Sequence, residues 1–375
     1  MPEWPVRFDL HVDLSDDTLA RPALEAEALA SVLSEIPLSP STRLAFARLN
    51  IARAVRGTTG LEGVDLTEAE VTGVLAAPAS GSVLSHGRER EEHEVRNAAR
   101  VMTFVQETLD ADPGAELSEE FIRELHRLTT GGIAYAHNEP GQYRRHAVSA
   151  GSYIPPRDPD DIRRLMSEFI AWTRSPQVRS WPAVVRAAAA HFYFISIHPF
   201  GDGNGRTARA IESFFLYQRG MNLLGFYSLA NFYYRNRARY IELLDEVRFL
   251  SGDSLNPFLR FAATGLLEEL RFIRDEVLQA NRSAAFRDFS ADVLAATLIA
   301  AKVRARLTVL MRTLLSEGAI DESLVRAGHH PLGALYIHIG ASAFGRDLRK
   351  LTDLGLVLIE GGTIRPNYRR LTELD

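Results

Sequence analysis

Apolar residues recur at the spacing of an α-helix along most of this 375-residue chain, and that periodicity limits the fold more than any other feature. Residues 20–56 form a first helical region, which breaks at the turn formers of 37–41, and small residues interrupt the pattern at 57–63. The stretch 131–156 is rich in turn formers and holds enough β-favouring residues for a short hairpin. We therefore predict a mainly α fold that contains one β-hairpin before its last third.

The last third of the chain has a different pattern, which begins after a polar hinge predicted at 281–283. Two or three helices from about 291, and a further helix that ends at Gly355, precede an apolar run, two glycines and a second short strand. Helices followed by a small hairpin are typical of a winged helix-turn-helix. The pattern predicts an N-terminal helical region at 1–80, a core domain at 81–285 and a winged-helix domain at 290–375.

Composition and charge exclude several classes of protein. The chain has 43 lysine and arginine residues against 48 aspartate and glutamate residues, and this net charge of −5 argues against general affinity for nucleic acid. Without cysteine it cannot form a disulfide scaffold, a thiol nucleophile, a cysteine-ligated zinc site or an iron–sulfur cluster. It has no apolar run long enough to span a membrane and no visible secretory signal, so we expect a soluble cytoplasmic protein.

The segment from His198 to Arg209 is the part of the sequence best suited to chemistry. Three glycines alternate with short polar residues directly before an amphipathic helix, so the backbone amides can fold inward into an anion-binding nest. The start of that helix adds partial positive charge, and Arg206 and Arg209 lie three residues apart on its first turn. Two guanidinium groups beside a backbone nest fit a polyphosphate.

Two further side chains of this segment have roles that follow from a bound polyphosphate. Asp202 lies beside the nest and fits Mg²⁺, which prefers one carboxylate together with phosphate oxygens. His198 ends the preceding helix and is the candidate general base. The alternative from the residues alone is a glycine-rich turn with a solvated aspartate and two surface arginines.

Residues 198–209, HPFGDGNGRTAR, fit the signature HxFx(D/E)GNGRxxR, and the chain thereby resembles the Fic family. The resemblance extends over about 50–280. Residues 140–156 resemble the family's flap hairpin, 190–195 the helix that leads into the motif, and 237–240 the helix that follows it. It implies an all-helical Fic core with a β-hairpin flap, between an N-terminal helical arm and the C-terminal winged helix.

The resemblance implies a protein adenylyltransferase, which moves AMP from ATP to a protein hydroxyl and releases pyrophosphate. His198 would deprotonate the target hydroxyl, Asp202 would hold Mg²⁺ at the α- and β-phosphates, and Phe200 would anchor the loop in the core. The implied nucleotide contacts are Gly203, Asn204, Gly205, Arg206, Arg209 and, at the adenine, Tyr240. The residue after Tyr240 is not the second aromatic that is common there, which leaves adenine preference open. Gly203 stands where the related Doc-type kinases carry lysine, and this favours AMP transfer over γ-phosphate transfer.

A second motif lies on the N-terminal side of the core. Residues 58–63, TTGLEG, resemble the inhibitory motif (S/T)xxxE(G/N) of class II Fic proteins, with Thr58 and Glu62 at the specified positions. The resemblance implies that Glu62 pairs with Arg209 and thereby removes a partner of the γ-phosphate. Two alternatives stay open: a solvated glutamate near a helix end, and a deAMPylase or bifunctional enzyme in which Glu62 orients a water that removes AMP.

The flap is the predicted docking segment for a target protein. An extended target segment would add to the hairpin edge and pair with its main chain. The candidate contacts are Tyr143, Arg144, His146 and Val148. In the helix before the motif, we expect His191 to be a packed core residue.

The predicted winged helix has a small basic patch, formed by Arg346, Arg349 and Lys350 and interrupted by Asp347 and Asp353. DNA-binding modules usually carry more positive charge on one face. We therefore favour protein recognition or dimerisation over DNA binding, leave a homodimer open and expect no membrane contact. A DNA-binding regulator with a Fic sensor core is the alternative from another functional class.

Overall fold

The computed structural model describes residues 3–78, 81–225 and 229–372, and the chain divides into two compact units at 274/275. Helices dominate the first unit, as the periodicity predicts. In chain order they are α1 (Asp17–Glu35), α2 (Pro40–Gly60), α3 (Glu68–Ala76), α4 (Glu89–Ala111), α5 (Glu119–Thr130), α6 (Pro159–Thr173), α7 (Pro176–Arg179), α8 (Ala183–Ile197), α9 (Asn204–Gln218), α10 (Ala230–Arg235), α11 (Arg237–Phe249) and α12 (Asn256–Ala296). Within the described residues, no helix is long and apolar enough to cross a membrane.

Local sequence explains where several of these helices begin. Asp16, Ser39 and Ser118 cap α1, α2 and α5 by accepting a backbone N–H of the first turn. Thr67 and Glu70 form a reciprocal capping box at the start of α3. The predicted break at 37–41 is therefore confirmed, with Ser39 as the cap of the second helix.

The predicted interruption at 57–63 is wrong in its first half, because α2 continues to Gly60. Its glycines serve close packing instead. A Cβ at Gly57 would lie 2.5 Å from the backbone nitrogen of Asn231, and one at Gly60 would lie 2.5 Å from the ring of Tyr234. Glycine at both positions lets α2 pack directly against α10.

Helix α8 forms the centre of the first unit and is buried along its whole length. Helix α9 packs against it and is in turn contacted by α2, α4 and α5. The motif loop therefore joins two helices at the centre of this unit.

The predicted flap hairpin does not form a two-stranded ladder. Within the described part of 131–156, Ala150 and Tyr153 make one antiparallel bridge, and Glu3 pairs with Ile154. The Arg144 side chain instead ties the segment together, because it donates to the carbonyls of His146 and Pro156.

The second unit, 275–375, has helices around a small antiparallel sheet of order β1-β3-β2. Its elements after α12 are α13 (Ala301–Glu317), β1 (Ile320–Asp321), α14 (Glu322–Arg326), a 3₁₀ turn (Pro331–Leu335), α15 (Ala341–Asp353), β2 (Val357–Glu360), β3 (Thr363–Pro366) and a second 3₁₀ turn (Tyr368–Leu371). The predicted C-terminal hairpin is present as β2 and β3, while the assignment as a winged helix stays a prediction. The hinge predicted at 281–283 is wrong, because these residues lie inside α12.

Candidate active site

His198 ends α8 in a left-handed conformation, with φ 50° and ψ 57°. Its Nδ1 lies 3.2 Å from the carbonyl oxygen of Ile195. Because a carbonyl can only accept, Nδ1 carries the proton and Nε2 keeps its lone pair. Burial, together with the nearby Arg144 and Arg248, lowers the pKa of His198 to about 4. The imidazole is therefore neutral at pH 7, the state that a general base requires.

The motif loop needs glycine at its close approaches. Gly203 has φ 74°, and a Cβ there would lie 2.6 Å from the side chain of Thr130. A Cβ at Gly201 would collide with the carbonyl oxygen of His137. The loop backbone is thus pressed against α5 and the segment that follows it.

Asn204 closes this loop through its side chain. Its Oδ1 accepts the N–H of Phe200 and its Nδ2 donates to the carbonyl of Phe200, each at 2.9 Å. Phe200 itself is fully buried, as expected of a core anchor. Asn204 therefore shapes the loop directly, and the implied contact between its side chain and phosphate stays a prediction.

The Asp202 carboxylate lies at the mouth of the loop with 41% of its side chain exposed. Its Oδ1 accepts from the N–H of Gly203 at 2.5 Å and from Arg206 Nη2 at 3.0 Å. Among the described residues, none donates a hydrogen bond to Oδ2. One half-exposed carboxylate with a free oxygen beside Arg206 fits a Mg²⁺ that also binds phosphate.

Arg206 is buried and held from two sides. Its Nη1 donates to the hydroxyl of Tyr135 at 2.6 Å, and that hydroxyl donates to Glu94 at 2.9 Å. Its Nη2 contacts Asp202, as above. Sequence reasoning missed Tyr135 and Glu94, because they come from the loop after α5 and from α4.

Arg209 is buried against the C-terminal end of α2. Its Nε donates to Thr58 Oγ1 at 2.8 Å, and its Nη2 donates to the carbonyl of Thr58 at 3.1 Å and to Glu62 Oε1 at 2.6 Å. The structure thus brings Thr58 and Glu62 of the second motif into contact with Arg209. The carboxylate of Glu62 lies over the first turn of α9, where a Cβ at Gly205 would collide with it.

The charge state of Glu62 follows from its surroundings. Burial raises the pKa of Glu62, but the charges of Arg209 and Arg206 outweigh this and hold it below the usual value. Glu62 is therefore ionised at neutral pH, and the pair with Arg209 persists there. It weakens only as the pH falls through that lowered pKa.

Glu62, Asp202 and Arg206 line an open pocket of about 280 Å³. Its walls are Glu62, Gly63, Val64, Arg90, Glu91, Glu94, Tyr135, Asp202 and Arg206. A smaller neighbouring pocket is lined in part by Thr58, Arg206 and Arg209. Both arginines of the motif are thus at pocket walls while each contacts a carboxylate.

Tyr240 does not lie at either pocket. It is 6% exposed, its hydroxyl lies 3.0 Å from His191 Nε2, and its ring stacks on Tyr233. Nδ1 of His191 lies 2.8 Å from Glu212, which also accepts from the Tyr233 hydroxyl. His191 is therefore a packed core histidine, as predicted, and Tyr240 is a member of the same buried network.

The four flap candidates have different environments. Arg144 is buried and donates to the carbonyl of His198 at 2.8 Å, so it fixes the end of α8 and is not available to a target. Burial lowers its pKa to about 10. Tyr143 packs its ring 5.3 Å from that of Phe200. His146 and Val148 are half-buried and remain accessible.

His126 is a further residue that the motif did not reveal. It lies on the buried face of α5, four residues after Ile122, and stacks on Phe200 with ring centroids 3.6 Å apart. The available signal was a histidine that follows the apolar residues Ile122 and Leu125 on one face of the helix. Burial lowers its pKa to about 4, so the ring is neutral.

Comparison with known proteins adds to this geometry. Residues 116–216 match the Fic/DOC family. The chain is 30% identical over 207 residues to proteins named protein adenylyltransferase Fic from Drosophila ananassae and Aedes aegypti. This match covers 55% of the chain and 38% of each relative, so the chain spans less than half the length of these relatives.

Two solved structures share the fold. A fragment of Fic-1 from C. elegans has a TM-score of 0.59 and 22% identity, over 72% of this chain and 75% of that one. A Fic family protein from Desulfovibrio desulfuricans G20 has a TM-score of 0.57 and 19% identity, over 93% and 95%. The motif loop, the helices around it and these similarities together show that the chain contains a Fic domain.

Proposed function

We propose that the protein is an autoinhibited protein adenylyltransferase, which transfers AMP from Mg-ATP to a hydroxyl side chain of a target protein. The observation that carries the proposal is the contact of Arg209 on α9 with Glu62. It lies beyond the motif loop, which presents a neutral His198 and, four residues later, Asp202. The names of the curated relatives support the chemistry.

The proposed reaction assigns one role to each group. His198 Nε2 takes the proton of the target hydroxyl. The hydroxyl oxygen bonds to the α-phosphorus, and the bond between the α-phosphorus and the departing pyrophosphate breaks. Arg206 and Arg209 bind phosphate oxygens and balance their charge. Asp202 holds Mg²⁺, which would neutralise charge on the phosphates when bound.

The environment of Gly203 supports AMP transfer over γ-phosphate transfer. The related Doc-type kinases carry lysine at this position. Here the Cβ position lies 2.6 Å from Thr130, and φ is 74°. A lysine would need both Thr130 and the backbone to move.

The proposed inhibition works by competition for one guanidinium group. Arg209 Nη2 is bound to Glu62 at 2.6 Å, so a γ-phosphate must displace that carboxylate to reach it. Glu62 also fills the space beside Gly205 on the first turn of α9. Removing the carboxylate would free both the cation and the space.

The test measures label incorporation from α-³²P-ATP and from γ-³²P-ATP, each with Mg²⁺ and with EDTA. Glu62→Gly should raise self-labelling from α-³²P-ATP together with ATP affinity, and γ-³²P-ATP should give none. Arg209→Ala and the double variant should both stay inactive, since the phosphate ligand is then lost. His198→Ala in the Glu62→Gly background is the matched control and should bind ATP without transferring label. A Glu62→Gly protein no more active than the wild type would contradict the inhibition.

Removal of AMP is the second candidate function. It is favoured by the ionised state of Glu62 and by the 31% of its side chain that is exposed, since such a carboxylate can orient a water. Self-labelled Glu62→Gly protein serves as the substrate. Release of labelled AMP by added wild type, but not by Glu62→Gln, would support this activity.

A further inference from the structure

His126 joins two segments of the site that are far apart in sequence. Its Nδ1 accepts the N–H of Gly141 at 2.8 Å, so its proton lies on Nε2, which donates to the carbonyl of Asp202 at 2.9 Å. The side chain is fully buried and stacks on Phe200 with the rings 2° from parallel. One ring therefore binds the first residues of the flap and the metal-site loop at once.

The hydrogen bond from His126 to the Asp202 carbonyl also affects the orientation of the Asp202 carboxylate. The peptide group between Asp202 and Gly203 is planar, so the direction of its C=O fixes the direction of its N–H. That N–H, on Gly203, donates to Oδ1 of the Asp202 carboxylate at 2.5 Å. Holding the carbonyl thus orients the carboxylate.

The other peptide group of Asp202 is also held from outside the motif. Asn138 Oδ1 accepts the N–H of Asp202 at 3.0 Å. On the flap side, Arg123 Nε donates to the carbonyl of Gly141 at 2.8 Å. Further hydrogen bonds therefore hold the backbone at both ends of the His126 bridge. A displacement of the Gly141 backbone would be passed through the ring to the Asp202 carbonyl.

We propose that His126 is a positioning residue that couples the flap to the Asp202 carboxylate, so that docking on the flap and presentation of Mg²⁺ to ATP are set together. The inference rests on the proposed function for the identity of the ligand, Mg-ATP. It assigns His126 no contact with the substrate.

Two substitutions separate the two hydrogen bonds. The amide of asparagine reaches the position of Nδ1, so His126→Asn keeps an acceptor for Gly141 and loses the donor to Asp202. The amide of glutamine reaches the position of Nε2, so His126→Gln keeps that donor and loses the acceptor. His86→Gln is the control, because His86 is fully exposed.

The readouts are ATP affinity by calorimetry, with Mg²⁺ and with EDTA, and amide hydrogen exchange of peptides covering 139–148. His126→Asn should weaken Mg-ATP binding about three- to tenfold, with affinity in EDTA and flap exchange near wild type. His126→Gln should speed exchange at the flap about tenfold, with Mg-ATP affinity within about twofold of wild type. Equal changes in both readouts for both variants, or none, would overturn the coupling and leave His126 as packing.

The wild-type chain supplies a test that needs no variant to fold. Saturating Mg-ATP should slow exchange at Gly141, and ATP in EDTA should not. An exchange rate that ignores Mg²⁺ overturns the proposal. These readouts require binding only, so absence of label transfer by Glu62→Gly would refute the proposed function while leaving the positioning role of His126 to stand or fall by itself.

Discussion

A histidine acts as a base only when one ring nitrogen has neither a proton nor another partner, and the turn at the end of α8 provides this for His198. The Ile195 carbonyl fixes the proton on Nδ1, and burial keeps the ring neutral. His198 is the left-handed residue that ends the helix, and its side chain contacts the helix's own last turn at Ile195. The motif alone identifies this histidine as the candidate base. Its tautomer depends on the turn at the end of α8, which brings Nδ1 to the Ile195 carbonyl.

The lowered pKa of His198 predicts the pH dependence of AMP transfer. Transfer by Glu62→Gly should persist as the pH falls past 6 and decline toward pH 4, because the base is lost only when the ring becomes protonated. Initial rates from α-³²P-ATP between pH 4 and pH 8 check this, with circular dichroism at each pH to confirm folding. A midpoint near 6.5, the ordinary value for histidine, would contradict the assignment.

Arg206 depends on a hydroxyl outside the motif. Tyr135→Phe keeps the ring and removes the bond that links Arg206 to Glu94. A hydrogen bond to a charged group contributes about 1.5–3 kcal/mol, so we expect the KM for ATP to rise about tenfold or more while kcat changes less. Steady-state kinetics in the Glu62→Gly background measure both. Tyr217→Phe, whose hydroxyl bonds Asp110 at the surface, is the control and should have no effect.

At the scale of elements, the second motif is placed by helix packing and not by its own residues. Thr58 lies in the last turn of α2, and the glycines on either side of it allow α2 to approach α10 and Tyr234. This close packing carries Glu62 to Arg209 across 147 residues of sequence. The same glycines that interrupt the apolar pattern therefore have a purpose in three dimensions.

Gly57→Ala should separate α2 from α10, because its Cβ would lie 2.5 Å from a backbone nitrogen that cannot move freely. We expect a loss of about 1–3 kcal/mol in the free energy of unfolding and a partial rise in self-labelling as Glu62 withdraws. Chemical denaturation and the α-³²P assay measure these. Gly73→Ala in α3, which meets one methyl group at 3.3 Å, is the control, and a loss as large as that of Gly57→Ala would refute the packing argument.

At the scale of the whole molecule, the two compact units have separate interiors. The second unit contains its own apolar cluster and an ion pair with a buried carboxylate, in which Arg306 Nη2 donates to Asp347 Oδ1 at 2.9 Å and Tyr336 donates to the same carboxylate. Asp347 was expected to interrupt the basic patch on α15, and this is wrong, because it is 4% exposed and faces Arg306. Arg346 and Arg349 are exposed on that helix.

Asp347→Ala should destabilise the second unit by about 1–3 kcal/mol, because it leaves the half-buried Arg306 guanidinium and the Tyr336 hydroxyl without their acceptor. The first unit should keep its affinity for Mg-ATP. Calorimetric unfolding with and without Mg-ATP distinguishes the unfolding transitions of the two units, since the ligand should raise the transition temperature only of the unit that binds it. Asp353→Ala, at an exposed position of the same helix, is the control. Loss of ATP binding in Asp347→Ala would contradict independent units.

The sequence by itself determined the features that depend on neighbouring residues. Helical periodicity and capping residues specified most of the helices, and the spacing of glycine, aspartate and arginine identified the motif loop between α8 and α9. The C-terminal hairpin was predicted for the same reason, since its apolar run and paired glycines are local signals. These patterns act over a few residues, within the range of backbone sterics and hydrogen bonds.

Only the tertiary structure decided which distant groups meet. Glu94 and Tyr135 reach Arg206, His126 reaches Asp202, and Tyr240 is drawn into a buried network away from both pockets. In the flap, likewise, the Arg144 guanidinium joins the carbonyls of His146 and Pro156. Such contacts form because a buried polar group needs a hydrogen-bond partner, and the partner can be any residue that packs nearby. No local pattern carries that information, so it is available only once the helices are packed.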